Sequence, residues 1–262
     1  MSVNKNHMDY ILLPSTIEFK DTDRKNVAEL IITPCHQGYG VTVGNALRRV
    51  LLSSIEGAAV EAVKINGIQH EFSAIEGVME DVIEVSQNLK QMAIISYSDT
   101  PVTLTLTKKG KGEVTAADFE KNSDIEIINP DLKIATITDD KKELSLEIII
   151  GKGLGYVPVS EKESKNLDLG TILIDSFYSP VKDVGYAIEN TRVGDITDYE
   201  KVTLTIETNG TVSPKETVER ATKILMDHFS LILDSSSTVA KKAKKESTST
   251  KVKMDEEVSE EE

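Results

Sequence analysis

Cys35 and His36 are the first side chains in the sequence whose types could do covalent chemistry together, as a thiolate beside an imidazole. They are adjacent along the chain, an awkward geometry for a nucleophile and its base, which usually meet through the fold. Cys35 therefore reads as an inert, partly buried residue. As the single cysteine it also excludes an intramolecular disulfide and a thiolate-rich metal site made by this chain alone. His7, His36, His70 and His228 are scattered, with neither H-x-x-x-H nor H-E-x-x-H spacing, so no histidine metal centre is expected. Carboxylates abound, as in Glu80-Asp81-Glu84 and Asp139-Asp140, but without a D-x-D-x-D triad that could hold magnesium for nucleotidyl transfer. They read as a solvated charged face. The expectation is a chain with no catalytic residues, no metal and no cofactor of its own.

Two glycine-rich stretches could cradle phosphate. Gly151-Lys152-Gly153-Leu154-Gly155-Tyr156 follows a strand pattern but runs into Val157-Pro158-Val159, which opens no helix, so it reads as a turn or hairpin corner. Gly38-Tyr39-Gly40-Val41-Thr42-Val43-Gly44-Asn45 precedes a helix and could form an anion nest. Beside it, Arg48 and Arg49 suit the carboxylates or carbonyls of a partner, because the planar guanidinium forms paired hydrogen bonds. Two arginines opposite an apolar stripe also suit a solvated face, and composition leaves both readings open.

The elements that must carry these residues are mostly strands. Val102, Leu104 and Leu106 alternate with Thr103, Thr105 and Thr107, and the same period of two recurs at Leu144-Leu146-Ile148-Ile150 and Val202-Leu204-Ile206. Shorter strands are expected at Ala62–Ile65, Asp124–Ile128 and Ile134–Ile137, with turns at Lys109-Gly110-Lys111-Gly112, Asn129-Pro130-Asp131 and Asn209-Gly210. Their close spacing between residues 60 and 160 points to an antiparallel module. Three helices are expected. In Val43–Ser54, with Thr42 as N-cap, the residues Val43, Ala46, Leu47, Val50 and Leu51 form one stripe. Val78, Val82, Val85 and Leu89 form a second stripe. The third helix starts at Pro214 and runs to Leu233, lined by Val218, Ala221, Ile224, Leu225, Phe229 and Ile232. Its end carries more apolar surface than a lone terminal helix should show to water, which marks a partner surface, most simply that of a second copy.

The chain is 262 residues long with a net charge of −14, which argues against a surface that grips nucleic acid broadly. From Ser237 onward, six lysines between Lys241 and Lys253 give way to Asp255 and five glutamates, with too little apolar area to order the segment. A charged, disordered tail is expected there. The N-terminus shows no secretory pattern and no run is long enough to span a membrane, so a cytoplasmic chain is expected, bacterial sooner than plastid.

The run from Gly38 through Ser54 closely resembles the signature of the bacterial-type RNA polymerase alpha subunit family. The resemblance continues in order through Ile65-Asn66-Gly67-Ile68-Gln69-His70-Glu71-Phe72-Ser73, Glu80-Asp81-Val82 to Asn88-Leu89-Lys90, and Val114-Thr115-Ala116-Ala117-Asp118. It returns in Gly153-Leu154-Gly155-Tyr156-Val157-Pro158, Phe177-Tyr178-Ser179-Pro180-Val181 and Glu207-Thr208-Asn209-Gly210-Thr211. Together these blocks cover nearly all of residues 15–233. The resemblance implies an α+β architecture: a discontinuous dimerisation domain of residues 1–56 and 180–236, helices on an antiparallel sheet, interrupted by a β-rich insert domain of residues 57–179 and followed by the tail of residues 237–262.

It further implies a noncatalytic subunit of DNA-directed RNA polymerase, which homodimerises and forms the assembly platform for the beta and beta-prime subunits, meeting DNA only through the complex. The two outer helices would pair the copies through Val43, Ala46, Leu47, Val50, Leu51, Ile224, Leu225, Phe229 and Ile232. Arg49, Lys90, Ile174 and Arg192 match family positions that grip the large subunits, and Arg48 is their neighbour by motif. The family's usual C-terminal DNA-reading domain does not follow in this sequence, through loss in this lineage or through truncation, so promoter-upstream contacts are not carried over. A stand-alone homodimeric binding module with the same fold, and an acid/base enzyme hidden among the carboxylates, are the competing classes.

Overall fold

A computed structural model describes residues 11–162, 168–194 and 196–234. The elements are β1 (Thr16–Asp21), β2 (Val27–Cys35), α1 (Tyr39–Ser53), β3 (Glu56–Ile65), α2 (Val82–Lys90), β4 (Ile94–Ser96), β5 (Val102–Lys109), β6 (Gly112–Thr115), β7 (Ile125–Ile127), β8 (Lys133–Ile137), β9 (Glu143–Leu154), β10 (Tyr156–Val157), β11 (Thr171–Leu173), β12 (Ser176–Phe177), β13 (Val181–Val193) and β14 (Ile196–Thr208). Helix α3 follows over residues 214–234. The chain divides into two units, with the boundary inside α3 at Val218. The lysine-then-glutamate tail and the first ten residues lie outside the described residues.

A four-stranded antiparallel sheet in the order β1-β2-β14-β13 draws its strands from both ends of the chain. Alternation along β14 explains its two faces: Val202, Leu204 and Ile206 are fully buried, while Thr203 and Thr205 point the other way. Leu204 stands opposite Leu30 on one side and Tyr186 on the other, giving a continuous apolar surface on which α1 lies.

Between β2 and β13 the chain builds a second antiparallel sheet, order β5-β9-β3-β4-β7, with β11 also pairing to β3. Its core is the aliphatic half of the alternating strands: Leu104, Leu106, Leu144, Leu146, Ile148 and Ile150 meet Val82, Val85 and Leu89 of α2 and Val114, Ile134 and Ile137 of the β6–β8 pair. Asp81 caps α2 by accepting the Glu84 N–H at 2.8 Å.

Three boundaries differ from the sequence expectation. Helix α1 starts at Tyr39, a turn earlier than Val43, so Thr42 is inside the helix and Gly38, at φ 83°, precedes it. The cap comes from across the fold: Glu200 accepts the N–H groups of Gly38 and Gly40 at 2.9 and 2.8 Å. Helix α2 starts at Val82, and Val78 instead makes a β-bridge with Ile137. The glycine run after Ile150 is not a corner throughout, because β9 continues to Leu154 and only Gly155, at φ 61°, turns the chain. Gly151 and Gly153 are there for space. A β-carbon on the first would stand 2.1 Å from the Glu61 carboxylate, and on the second 2.9 Å from the Tyr178 ring. Pro214 is the first residue of α3, as expected, and Ser213 before it accepts the Glu216 N–H at 3.2 Å.

Candidate functional site

The apolar stripe of α1 is shared between two tasks. Gly40, Gly44, Leu47 and Leu51 are its buried residues and face the sheet. Close approach is what the glycines supply, since a β-carbon on Gly44 would lie 3.0 Å from the Tyr186 ring. Val43, Ala46 and Val50 are only half-buried and run along the helix flank. Of the residues named for pairing, Leu47 and Leu51 are thus engaged within the chain, and Val43, Ala46 and Val50 keep part of their area exposed to solvent.

On α3, Ile224 and Leu225 are half-buried, but Phe229 is 62% and Ile232 65% exposed, alongside Met226, Leu231 and Leu233. So many large apolar side chains on one short stretch exceed the isolated exposures that a soluble surface normally carries.

The two adjacent arginines have different surroundings. Arg48 donates its Nε–H to the Val184 carbonyl at 2.9 Å and so ties α1 to β13. Arg49 is exposed, and its guanidinium makes no hydrogen bond or ion pair among the described residues. Its planar donor fork faces solvent.

Lys90 and Ile174 are brought together. Lys90 ends α2 and pairs with Asp175 at 2.9 Å, while the other Asp175 oxygen accepts the Val159 N–H at 2.9 Å. The Lys90 ammonium, then that N–H, hold the Asp175 carboxyl below its ordinary pKa. The Ile174 side chain is 2% exposed and packs in the core of the second sheet, so it presents no side chain at the surface. Arg192 stands apart, near the far end of β13, with its Nε–H donated to the Gly194 carbonyl at 2.6 Å. At the usual strand rise it is roughly 26 Å along β13 from the Val184 carbonyl that holds Arg48. The five residues therefore do not form one cluster.

Sequence reasoning missed Glu200 and Asp175; it named Tyr156 and Phe177 only within family-like blocks, and the fold places their rings 5.1 Å apart, both half or more exposed. Gly155, which precedes Tyr156, lies near the end of α1, since a β-carbon on it would stand 3.5 Å from the Ser53 carbonyl. Glu200 and Asp175 carry no local signal, because each acts through a partner far away in sequence, whereas Tyr156 and Phe177 stand in blocks that carry the family resemblance. Cys35 is buried, and burial followed by the charge of Glu200 pushes its thiol pKa up, which disfavours the thiolate. No group of three or more metal-ligating side chains occurs among the described residues. Nor is any described helix long and apolar enough to cross a membrane.

Residues 63–179 match the model of the RNA polymerase Rpb3/RpoA insert domain. The DNA-directed RNA polymerase subunit alpha of Symbiobacterium thermophilum is 47% identical over 205 residues, covering 78% of this chain and 65% of the relative. The subunit of the same name from Aquifex aeolicus is 52% identical over 204 residues, covering 78% of this chain and 64% of the relative, and that of Clostridium botulinum is 45% identical over 205 residues, covering 78% and 65%. The match thus spans just under two thirds of the length of these relatives. Over the matched residues, the chain belongs to the family of the bacterial RNA polymerase alpha subunit.

Proposed function

We propose that this chain is the noncatalytic alpha subunit of a cytoplasmic DNA-directed RNA polymerase, pairing with a second copy and serving as the platform on which the beta and beta-prime subunits assemble. The observation that carries the reading is the exposed apolar run of α3, from Met226 to Leu233, in a chain otherwise rich in surface charge. In the pair, Val43, Ala46 and Val50 of α1 and Ile224, Leu225, Phe229 and Ile232 of α3 lose their water, with Leu47 and Leu51 anchoring α1 beneath them. A two-fold pair presents the same face twice. One copy's Arg48, Arg49, Lys90, Ile174 and Arg192 region then meets beta while the other copy meets beta-prime. Nucleotidyl transfer, and any metal ion it uses, belongs to those large partners in this reading, as does direct contact with DNA, and this chain holds no cofactor.

The test is to tag the chain in its own cells, purify it gently and identify what accompanies it. Two very large polypeptides, one of each per two copies of this chain, are the expected result. Recovery of a bare homodimer at low salt and high yield would overturn the polymerase reading in favour of a stand-alone dimeric module.

A further inference from the structure

The Lys162 ammonium sits half-buried at an irregularity of the second sheet. The register between β3 and β9 shifts between Val60 and Ala62, so Glu61 is a bulge residue. The Glu61 carbonyl accepts two bonds from elsewhere: the Ile174 N–H at 2.9 Å and the Lys162 ammonium at 3.0 Å. Lys162 also donates to the Ile174 carbonyl and, at 2.6 Å, to the Ser176 hydroxyl. The Ser176 hydroxyl in turn donates to the Val60 carbonyl at 2.7 Å. One ammonium therefore grips both residues that flank Asp175 and fastens them to the bulge in β3. On the outer side of the same turn, Asp175 holds Lys90 and the Val159 N–H.

The groups facing Lys162 are Glu61 and Asp175, which favour its charge, and Lys90, which opposes it; burial is the largest influence and lowers its pKa. A buried lysine is costly, and a structure that needed only packing here would be served by an aliphatic side chain. What the ammonium adds is a fixed geometry for three carbonyl and hydroxyl oxygens at once.

We propose that Lys162 is a positioning residue for the large-subunit surface, holding Ile174, Asp175 and Ser176 in the one arrangement that presents the Asp175–Lys90 pair to a large polymerase subunit. The inference rests on the function proposed above. It acts through Asp175 and Lys90 and involves no contact of Lys162 with the partner.

The experiment reconstitutes the full chain with purified beta and beta-prime subunits and measures capture for wild type, Lys162→Met, Lys162→Arg, Asp175→Asn and the double variant Lys162→Met/Asp175→Asn. Lys162→Met is expected to keep the homodimer mass and weaken capture roughly tenfold, the size of one or two lost charge-assisted hydrogen bonds. Lys162→Arg, which keeps the charge and several donors, is expected to restore most of it. The double variant is expected to lose little more than either single variant. If Lys162→Met gives no soluble dimer, Ser176→Ala carries the test, because it removes one oxygen of the grip and little volume; it should weaken capture in the same direction by a smaller factor. Wild-type capture with an unimpaired Lys162→Met or Ser176→Ala variant, or losses that simply multiply in the double variant, would overturn the positioning role. Failure of the wild-type chain to capture either large subunit would instead overturn the polymerase reading itself.

Discussion

The Glu200 carboxylate accepts the Gly40 N–H at 2.8 Å, and a β-carbon on Gly40 would stand 2.6 Å from that same oxygen. The glycine is therefore required by the cap, and the cap by the open end of α1. A carboxylate from a strand more than a hundred residues downstream supplies two acceptors where the helix has unpaired N–H groups and a positive dipole end. The first turn of α1 and the end of the four-stranded sheet are thereby one structural unit.

Gly40→Ala follows directly from this contact. The added methyl displaces either the carboxylate or Val202, whose methyl would lie 3.0 Å away. A loss of ~1–3 kcal/mol is expected, in the range for overpacking a close contact. Glu200→Gln keeps the shape but turns one of the two acceptor oxygens into an NH2 that cannot accept a backbone N–H, so one cap bond is lost. It should cost less than Gly40→Ala, which displaces the whole carboxylate or Val202. Chemical denaturation of the three proteins checks the order; an unchanged midpoint for Gly40→Ala would show that the cap is not what fixes this turn.

Arg48 and Arg49 should separate by experiment. Arg48→Ala removes the bond to the Val184 carbonyl and is expected to lower stability by ~1 kcal/mol, the usual net worth of one hydrogen bond with a charged donor at a partly exposed site. Arg49→Ala should leave both the melting curve and the dimer mass alone while weakening capture of beta by ~2 kcal/mol, the scale of an interfacial arginine anchor. Equal effects of the two variants on melting would contradict the asymmetry of their surroundings.

Phe229→Asp places a charge in the proposed apolar seam between copies, where it would be desolvated without a partner. Light scattering at micromolar protein is expected to give a monomer, or a dimer that dissociates on dilution. A dimer of unaltered mass and affinity would remove the exposed end of α3 from the interface.

Glu80 makes the acid side of stability testable. Its carboxylate is pushed upward by burial, but bonds from Lys133 and from the N–H and hydroxyl of Thr136 outweigh this, and the pKa ends below its ordinary value. A depressed folded-state pKa means stability that is present above the unfolded carboxylate value, about 4.3, and is lost as pH falls through the folded one. Glu80→Gln should therefore destabilise at pH 7 and converge with wild type in more acid solution. Unfolding curves at pH 7 and at successive steps below about pH 5 check the convergence; a constant gap between the two proteins would mean that Glu80 does not act through its charge.

Periodicity alone carried much of this protein. The alternation in Val102–Thr107, Leu144–Ile150 and Val202–Ile206 determined three strands and which of their faces is apolar, because a pleated strand that is buried on one side writes that fact into every second residue. The apolar surplus after Ile224 is likewise legible in the sequence, and in the fold Phe229, Leu231, Ile232 and Leu233 are exposed. Where an element ends was less legible. Thr42 looks like an N-cap, yet α1 begins earlier because Glu200 stabilises a turn that Thr42 could not, and Val78 keeps helical spacing but is drawn into a bridge with Ile137.

The site divides the same way. Arg49, Lys90 and the stripe of α1 stand in blocks that the sequence makes recognisable. That Leu47 and Leu51 are spent on the chain's own sheet while Val43, Ala46 and Val50 remain half-buried is a decision of tertiary packing, as is the difference between Arg48 and Arg49. Lys162, Asp175 and Glu61 carry no local signal at all. They meet at a one-residue slip between β3 and β9, where the Glu61 carbonyl accepts the Lys162 ammonium, and a bulge is a property of how two strands meet, which neither strand's own residues record.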